Sequence, residues 1–207
     1  DGFTARRAPK RLFLRTQSLP LYQSVWQRAR VDEPAELSDT VVLSSDIGLG
    51  LELGIATRVT IADVLGEETT PKRILVDFRQ VLSGEMIAAG LRASASHALA
   101  TLQQWLSEPR LQNTELVWLT HESADVWGRE GEHHDDGQLP GFVQGAIWGL
   151  LRCCRHENPD RALRVIDLSG GDPTAAEMGM ALALGDEPEL AVRGDELWVP
   201  RLRRESG

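Results

Sequence analysis

A buried strand that turns through two closely spaced glycines into a helix is the chemistry-bearing pattern of this chain. Thr40-Val-Val-Leu43 is followed by Ser-Ser-Asp46-Ile-Gly48-Leu-Gly50-Leu-Glu-Leu53-Gly54. Such a turn presents bare backbone N–H groups and a helix N-terminus to a pyrophosphate, and an acid beyond the next strand can bond a ribose hydroxyl. Asp63, after Arg58-Val-Thr-Ile-Ala, is that acid. The pattern is incomplete. The third glycine belongs at position 53, where helix and strand pack closely, but Leu53 stands there. Gly54 comes one residue late, about 100° further round a helix. Asp46 adds negative charge where a pyrophosphate would sit. The turn therefore reads as structural, with Asp63 as a cap or turn residue.

Other chemistries find less support. Carbonyl reduction by a short-chain reductase needs a Tyr to donate a proton, a nearby Lys, and a Ser to position the oxygen. The chain has a single tyrosine, Tyr22, before the α/β pattern begins, and two lysines, Lys10 and Lys72. Gly141–His156, the helix where such a Tyr would fall, has none. His133-His134-Asp135-Asp136 has metal-ligand residue types, but adjacent histidines in a Gly-rich acidic loop read as solvated. His121-Glu122 follows a strand end, the usual active-site edge of an α/β sheet. No Gly-x-Ser-x-Gly elbow occurs. Cys153 and Cys154 are adjacent on a helix, point about 100° apart, and read as small hydrophobes rather than a disulfide, which suits a reducing cytosol.

The elements that would hold these residues alternate. Leu21–Ala29 reads as a strand, and Thr40–Ser44 as a strand covered on both faces. A short helix to about Ala56 precedes strand Arg58–Val64. Arg73–Phe78 is a strand and Ala88–Leu106 a helix with an apolar stripe of Ala89, Leu99, Leu102, Trp105 and Leu106. Strand Glu115–Thr120 leads into the polar loop Glu122–Pro140. The helix Gly141–His156 is apolar over much of its surface, predicting burial, and stops at Asn158-Pro159. Strand Leu163–Leu168, helix Pro173–Leu184 with Asp172 as N-cap, and the strand pair Glu189–Arg193 and Leu197–Arg201 complete the chain. Strands and helices in this order predict an α/β fold with a doubly wound, mostly parallel, truncated Rossmann-like sheet. Residues 1–17 read as a basic linker or tail and 18–207 as one domain.

Composition narrows the classes. The chain has 207 residues, 42% hydrophobic and 26% charged, as in ordinary globular proteins. A net charge of −9 argues against nonspecific nucleic-acid binding, which needs Lys and Arg to neutralise phosphates. No apolar run approaches the roughly 18 residues of a membrane span. Asp1-Gly-Phe-Thr-Ala-Arg-Arg7 is no signal peptide and lacks an initiator Met, so the chain reads as cut from something longer, with a cytoplasmic setting.

One segment carries a family resemblance. Phe142-Val-Gln-Gly145-Ala-Ile-Trp148-Gly149-Leu-Leu-Arg152-Cys-Cys-Arg-His-Glu157-Asn-Pro159 closely resembles the Trp-Gly-Leu-x-Arg…Glu-x-Pro helix of the ketoreductase structural subdomain in type I polyketide synthases. Flanking segments resemble it in the same order. They are Leu21-Tyr22-Gln-Ser-Val-Trp26, Leu116-Val-Trp118-Leu-Thr120, Arg164-Val-Ile-Asp167-Leu, Leu190-Ala-Val-Arg193-Gly194 and Val199-Pro-Arg-Leu202. Asp1–Leu14 is similar to the end of a dehydratase domain.

The resemblance implies a non-catalytic half that binds no cofactor. In that family a following half holds NADPH and the Ser/Tyr/Lys chemistry that reduces carrier-bound β-ketoacyl groups, with phosphopantetheine on the carrier protein of the parent synthase. It also implies contacts with that catalytic half and the dehydratase of the same polypeptide, and possible homo-oligomer contacts, with no nucleic acid or membrane. No catalytic or metal residue is carried over. Tyr22 and Trp26 are candidates to reach the catalytic half, and Gly48 and Gly50 to shape the turn. Gly145 and Gly149, four apart on the Trp148 helix, allow close approach of another element, within the domain or outside it. Arg152 and Glu157 are expected to cap or pair around the helix end before Pro159. Two rivals remain: a pseudo-ketoreductase interdomain that assembles subunits of an iterative synthase, and an independent nucleotide-binding enzyme.

Overall fold

A computed structural model describes residues 21–79, 87–126 and 140–204. Eight strands form one sheet in the order β1-β8-β7-β6-β5-β4-β2-β3. They are β1 Tyr22–Ala29, β2 Thr40–Leu43, β3 Ala56–Arg58, β4 Arg73–Asp77, β5 Glu115–His121, β6 Leu163–Leu168, β7 Glu189–Arg193 and β8 Glu196–Arg204. Strands β2 to β7 are mutually parallel, while β8 runs antiparallel to β7 and β1 antiparallel to β8. The parallel strands are joined through helices α1 Gly48–Leu53, α2 Ile61–Leu65, α3 Ile87–Ser107, α4 Pro140–Glu157 and α5 Ala175–Ala183. This is the doubly wound, mostly parallel architecture expected, one strand short of the 3-2-1-4-5-6 order because only β3 lies beyond β2.

Two apolar layers follow from strand alternation. Odd and even side chains of a strand face opposite ways, so β5 sends Leu116 and Trp118 to one face and Val117 and Leu119 to the other. The first face packs under α2, α3 and α4 through Ile61, Val64, Ala98, Leu102, Trp105, Ile147 and Leu151. The second packs under α1 and α5 through Leu49, Leu53, Met178, Ala181 and Leu182. Both faces are covered, which is why β2, β4 and β5 carry uninterrupted apolar runs, Val41–Leu43, Ile74–Val76 and Leu116–Leu119.

Several boundaries differ from the sequence reading. Arg58–Val64 is not a strand: β3 ends at Arg58 and α2 begins at Ile61. Thr60 and Asp63 form a capping box, each side chain binding the other's backbone N–H, and this local hydrogen bonding prevails over the β-branched composition. The last helix is opened by Thr174, not Asp172; Thr174 accepts from Glu177 N at 3.2 Å, and Glu177 returns the bond. The helix α4 is apolar around much of its circumference but is covered on one side only: Ile147, Trp148, Leu151 and Cys154 are buried, while Gly145, Gly149, Arg152 and Cys153 are exposed.

The strand β1 lies at the sheet edge, far from β2, and the segment between them crosses α5. Ala35 N donates to Gly179 O at 2.9 Å, and a Cβ on Gly179 would stand 2.7 Å from Ala35 O. Only a glycine admits that close crossing.

Candidate functional site

In a doubly wound sheet the crevice for a ligand lies at the carboxyl ends of the strands where the order reverses. Here that place is between β2 and β4, because the chain moves outward from β2 to β3 and then returns to β4. The glycine turn stands at its mouth, as the motif predicts.

Its residues do not fit a dinucleotide. Asp46 Oδ1 accepts the Gly48 N–H at 2.9 Å, so a carboxylate takes a donor that a pyrophosphate would need. Asp46 is held there by its own N–H, which donates to Ser44 Oγ at 3.0 Å. Gly50 is a glycine for a different reason: a Cβ would collide with Thr57 Oγ1 and stand 3.0 Å from Ile55 O. The second glycine thus serves packing of α1 on β3. Leu53 is buried against the α1 and α5 side of the sheet, where its side chain contributes about 2 kcal/mol that glycine would forgo. Gly54 closes the helix at φ 66°, a left-handed cap. Asp63, the candidate ribose acid, is committed to its capping box, which pulls its carboxyl below the usual range mainly through the Thr60 side chain.

Arg79, past the end of β4, reaches across to the loop after β6. It donates to Asp77 at 2.8 and 3.0 Å and lies 2.8 Å from Asp172 Oδ1, in the loop after β6. Asp172 Oδ2 in turn comes within 3.9 Å of where a Gly48 Cβ would be.

A second constellation lies where β5 and β6 end beneath α4. A reductase would gather its Ser, Tyr and Lys at such a place. Trp148 and Arg152 stand four apart on α4, the spacing of such a Tyr/Lys pair, and Thr120 is the next-to-last residue of β5. Trp148 Nε1 donates to Thr120 Oγ1 at 3.2 Å, and Thr120 donates to Asp167 Oδ1 at 2.6 Å. Asp167 is fully buried. Its Oδ1 also accepts the Ser123 N–H at 2.9 Å and the Ser123 hydroxyl, and its Oδ2 accepts Ala124 N at 3.1 Å and Arg193 Nη2 at 2.6 Å. Arg193 reaches the Ala124 and Asp167 carbonyls as well. An indole N–H is not a workable acid at neutral pH, and both oxygens of the Asp167 carboxylate are occupied by donors of the protein itself. The arrangement ties the end of β5 and the loop after it to β6 and β7.

Arg152 lies with its guanidinium over the Trp148 ring, 5.6 Å from the centroid. It forms a two-pronged pair with Glu189, 2.7 Å at each prong, and Arg155 adds a third bond at 2.7 Å. Burial pushes the Glu189 carboxyl up, and the guanidinium hydrogen bonds from Arg152 and Arg155 outweigh that and hold it below its ordinary value. Arg152 therefore pairs with Glu189, not with Glu157. The helix end is closed by Asn158, whose N and Nδ2 donate to Cys154 O at 3.0 and 2.9 Å, immediately before Pro159.

Tyr22 and Trp26 point to α4's side of the sheet. Trp26 meets Trp148 edge-on, with ring centroids 6.3 Å apart, while Tyr22 is 59% exposed and Leu202, on the same face of β8, 76% exposed. A Cβ on Gly145 or Gly149 meets nothing within 4 Å among the described residues, so neither glycine is required by packing within them. His121 Nε2 lies 4.0 Å from Glu122 Oε2, and His121 N donates to Gln144 Oε1 at 2.5 Å. His133, His134, Asp135 and Asp136, and the tail 1–17, lie outside the described residues. Among the described residues no group of three or more His, Cys, Asp or Glu could hold a metal, and no helix is long and apolar enough to cross a membrane.

Asp167 and Arg193 were not singled out by sequence reasoning. The signal was present: an acid inside the apolar run Leu163–Leu168 must find a partner if that strand is central.

Residues 24–202 match the family described as polyketide synthase extender module SpnB, Rossmann fold domain. The chain is 33% identical over 164 residues to erythronolide synthase EryA2 of Saccharopolyspora erythraea, covering 76% of this chain and 4% of that protein. It is 28% identical over 191 residues to polyketide synthase GfsA of Streptomyces halstedii, covering 89% of this chain and 2% of that protein. The chain thus spans only a few hundredths of the length of these relatives. Two solved structures share the fold. One is PlmKR1, a ketoreductase from the first module of phoslactomycin biosynthesis in Streptomyces sp. HK803, with TM-score 0.54, 21% identity and 89% of this chain on 38% of that one. The other is a C2-type ketoreductase from a modular polyketide synthase, with TM-score 0.56, 19% identity and 89% on 44%.

Proposed function

The chain belongs to the Rossmann-fold domain family of polyketide synthase extender modules, and from that premise we propose that it is the structural, non-catalytic half of a ketoreductase region. It supports a separate catalytic half that holds NADPH and reduces β-ketoacyl groups carried on the phosphopantetheine of a carrier protein. The observation that carries this reading is the crevice at β2 and β4. Asp46 occupies the Gly48 N–H, Thr57 fills the space at Gly50, and Leu53 fills the place of the third glycine. The second constellation agrees, since Trp148 and Arg152 stand at Tyr/Lys spacing with neither chemistry.

The partner face is the outer side of α4 with the β1–β8 ribbon beside it. Gly145 and Gly149 leave the helix backbone open, and Tyr22 and Leu202 offer apolar surface on the same side of the sheet. This chain matches less than half of each solved ketoreductase chain, so those proteins carry a further portion of comparable size. A surface of bare glycines flanked by exposed aromatic and aliphatic groups suits a closely packed, helix-bearing partner of that kind.

Titrating the chain with NADPH while following tryptophan fluorescence tests the first part, with no saturable change expected up to millimolar cofactor. Saturable micromolar binding would overturn it. Co-expression with the catalytic half of the same ketoreductase tests the second. A stable complex that Gly149→Leu disrupts without unfolding the chain is expected, whereas failure of the two halves to associate defeats the scaffold reading.

A further inference from the structure

The misfit between the crevice and a dinucleotide has a structural source beyond the lost glycine. We propose that the loop after β6, Ser169–Pro173, is a flap held over the turn by one ion-pair latch, Asp77–Arg79–Asp172. The inference rests on the non-binding reading above but concerns what keeps the crevice closed.

The geometry is specific. Arg79 ties the end of β4 to the loop after β6, pairing with Asp77 on the one and Asp172 on the other. Its own side chain and that of Asp77 are largely covered, whereas Asp172 is about half exposed. The guanidinium is therefore anchored on β4, and the flap is the freer partner. Gly170, at φ 81°, and Gly171, with nothing near a built Cβ, give the flap a backbone that can swing. Pro173 is buried and Thr174 caps α5, fixing the far end of the flap at the helix. The near end is tied by Ser169 Oγ, which donates to Val192 O at 3.3 Å. Between these two anchors the Asp172 carboxylate reaches over Gly48, next to the Asp46 carboxylate that already takes the Gly48 N–H.

Two carboxylates beside one another at a helix start repel each other, and Arg79 is the cation that makes the arrangement tolerable. Removing it takes that cation from Asp172 and leaves like charges facing one another across the turn. The flap then opens away from α1, while the sheet beneath, held by its two apolar layers, is unchanged.

Amide hydrogen exchange of the 207-residue chain tests this, with Arg79→Ala and Asp172→Asn compared against the unsubstituted protein. Arg79→Ala, which leaves the two carboxylates facing one another, is expected to raise exchange about tenfold at residues 46–50 and 169–174, and Asp172→Asn, which loses the ion pair together with the repulsion, by a smaller factor of about threefold. Exchange in β5, β6 and β7 should stay essentially unchanged, as should the thermal midpoint of Asp172→Asn, whereas Arg79→Ala also strands the largely covered Asp77 carboxylate and should lower its midpoint. Unaltered exchange at the turn and flap in Asp172→Asn overturns the latch, as does a rise spread evenly over the sheet. NADPH binding by the unsubstituted chain would instead overturn the functional reading, so the two failures are distinguishable.

Discussion

Two strand ends in this protein each carry an aspartate where a reductase would hold cofactor or substrate, and they are closed in opposite ways. At the end of β6, Asp167 is fully buried, with both oxygens committed to Thr120, Ser123, Ala124 and Arg193. At the end of β2, Asp46 is exposed and accepts one backbone N–H. The first aspartate is part of the core, and the second is a surface cap that blocks a turn. A crevice can be lost either by building structure into it or by covering it, and the energetic consequences differ because desolvation magnifies whatever is left unpaired.

The contrast is broken most directly by removing each carboxylate in turn. Asp167→Ala strands Arg193 among carbonyls with no carboxylate and should lower stability by about 3–5 kcal/mol in a denaturant titration. Asp46→Ala, at the surface, should change it by less than about 0.5 kcal/mol. Equal effects would erase the distinction between a built-in and a covering aspartate. Gly50→Ala sharpens a second point. If the glycine is kept for Thr57 and the Ile55 carbonyl rather than for a phosphate, adding one methyl should destabilise by about 1–3 kcal/mol with no change in nucleotide binding.

A smaller effect, dependent on pH, separates buried from exposed ion pairing. Glu189, gripped by Arg152 and Arg155, titrates below the ordinary glutamate range in the folded chain. Its stabilising contribution is therefore complete above about pH 4.3 and fades as acid protonates it. Since Arg152 is more than half exposed and screened by solvent, Glu189→Gln should cost about 1 kcal/mol at pH 7. The difference from the unsubstituted chain should shrink steadily as pH falls below about 4. A difference that persists at pH 3 would mean that packing, not charge, is what Glu189 supplies.

The order of elements was legible because the core demands it. Continuous apolar runs such as Val41–Leu43, Ile74–Val76 and Leu116–Leu119 are required of strands covered on both faces, and their alternation with helices left few topologies. Local polar chemistry was less legible. Val59, Thr60 and Ile61 have strand composition, yet Thr60 and Asp63 satisfy each other's backbone groups and start a helix. Asp172 and Thr174 are both good caps on residue type, and only the chain path selects Thr174.

The glycine turn shows the same division. Residue types alone marked Gly48, Gly50, Leu53 and Asp46 as a phosphate turn that had lost its third glycine, because the spacing of glycines along a helix is a local matter. Which atoms lie against those glycines is set by residues distant in sequence. Asp172 reaches Gly48 from the β6 end, the β3 strand supplies Thr57, and Arg79 joins the end of β4 to the loop that carries Asp172. For α4 the sequence told how apolar the helix is, but only the sheet's position decided which side of it stays bare. Burial belongs to the assembled layers, and Gly145 and Gly149 face away from both of them.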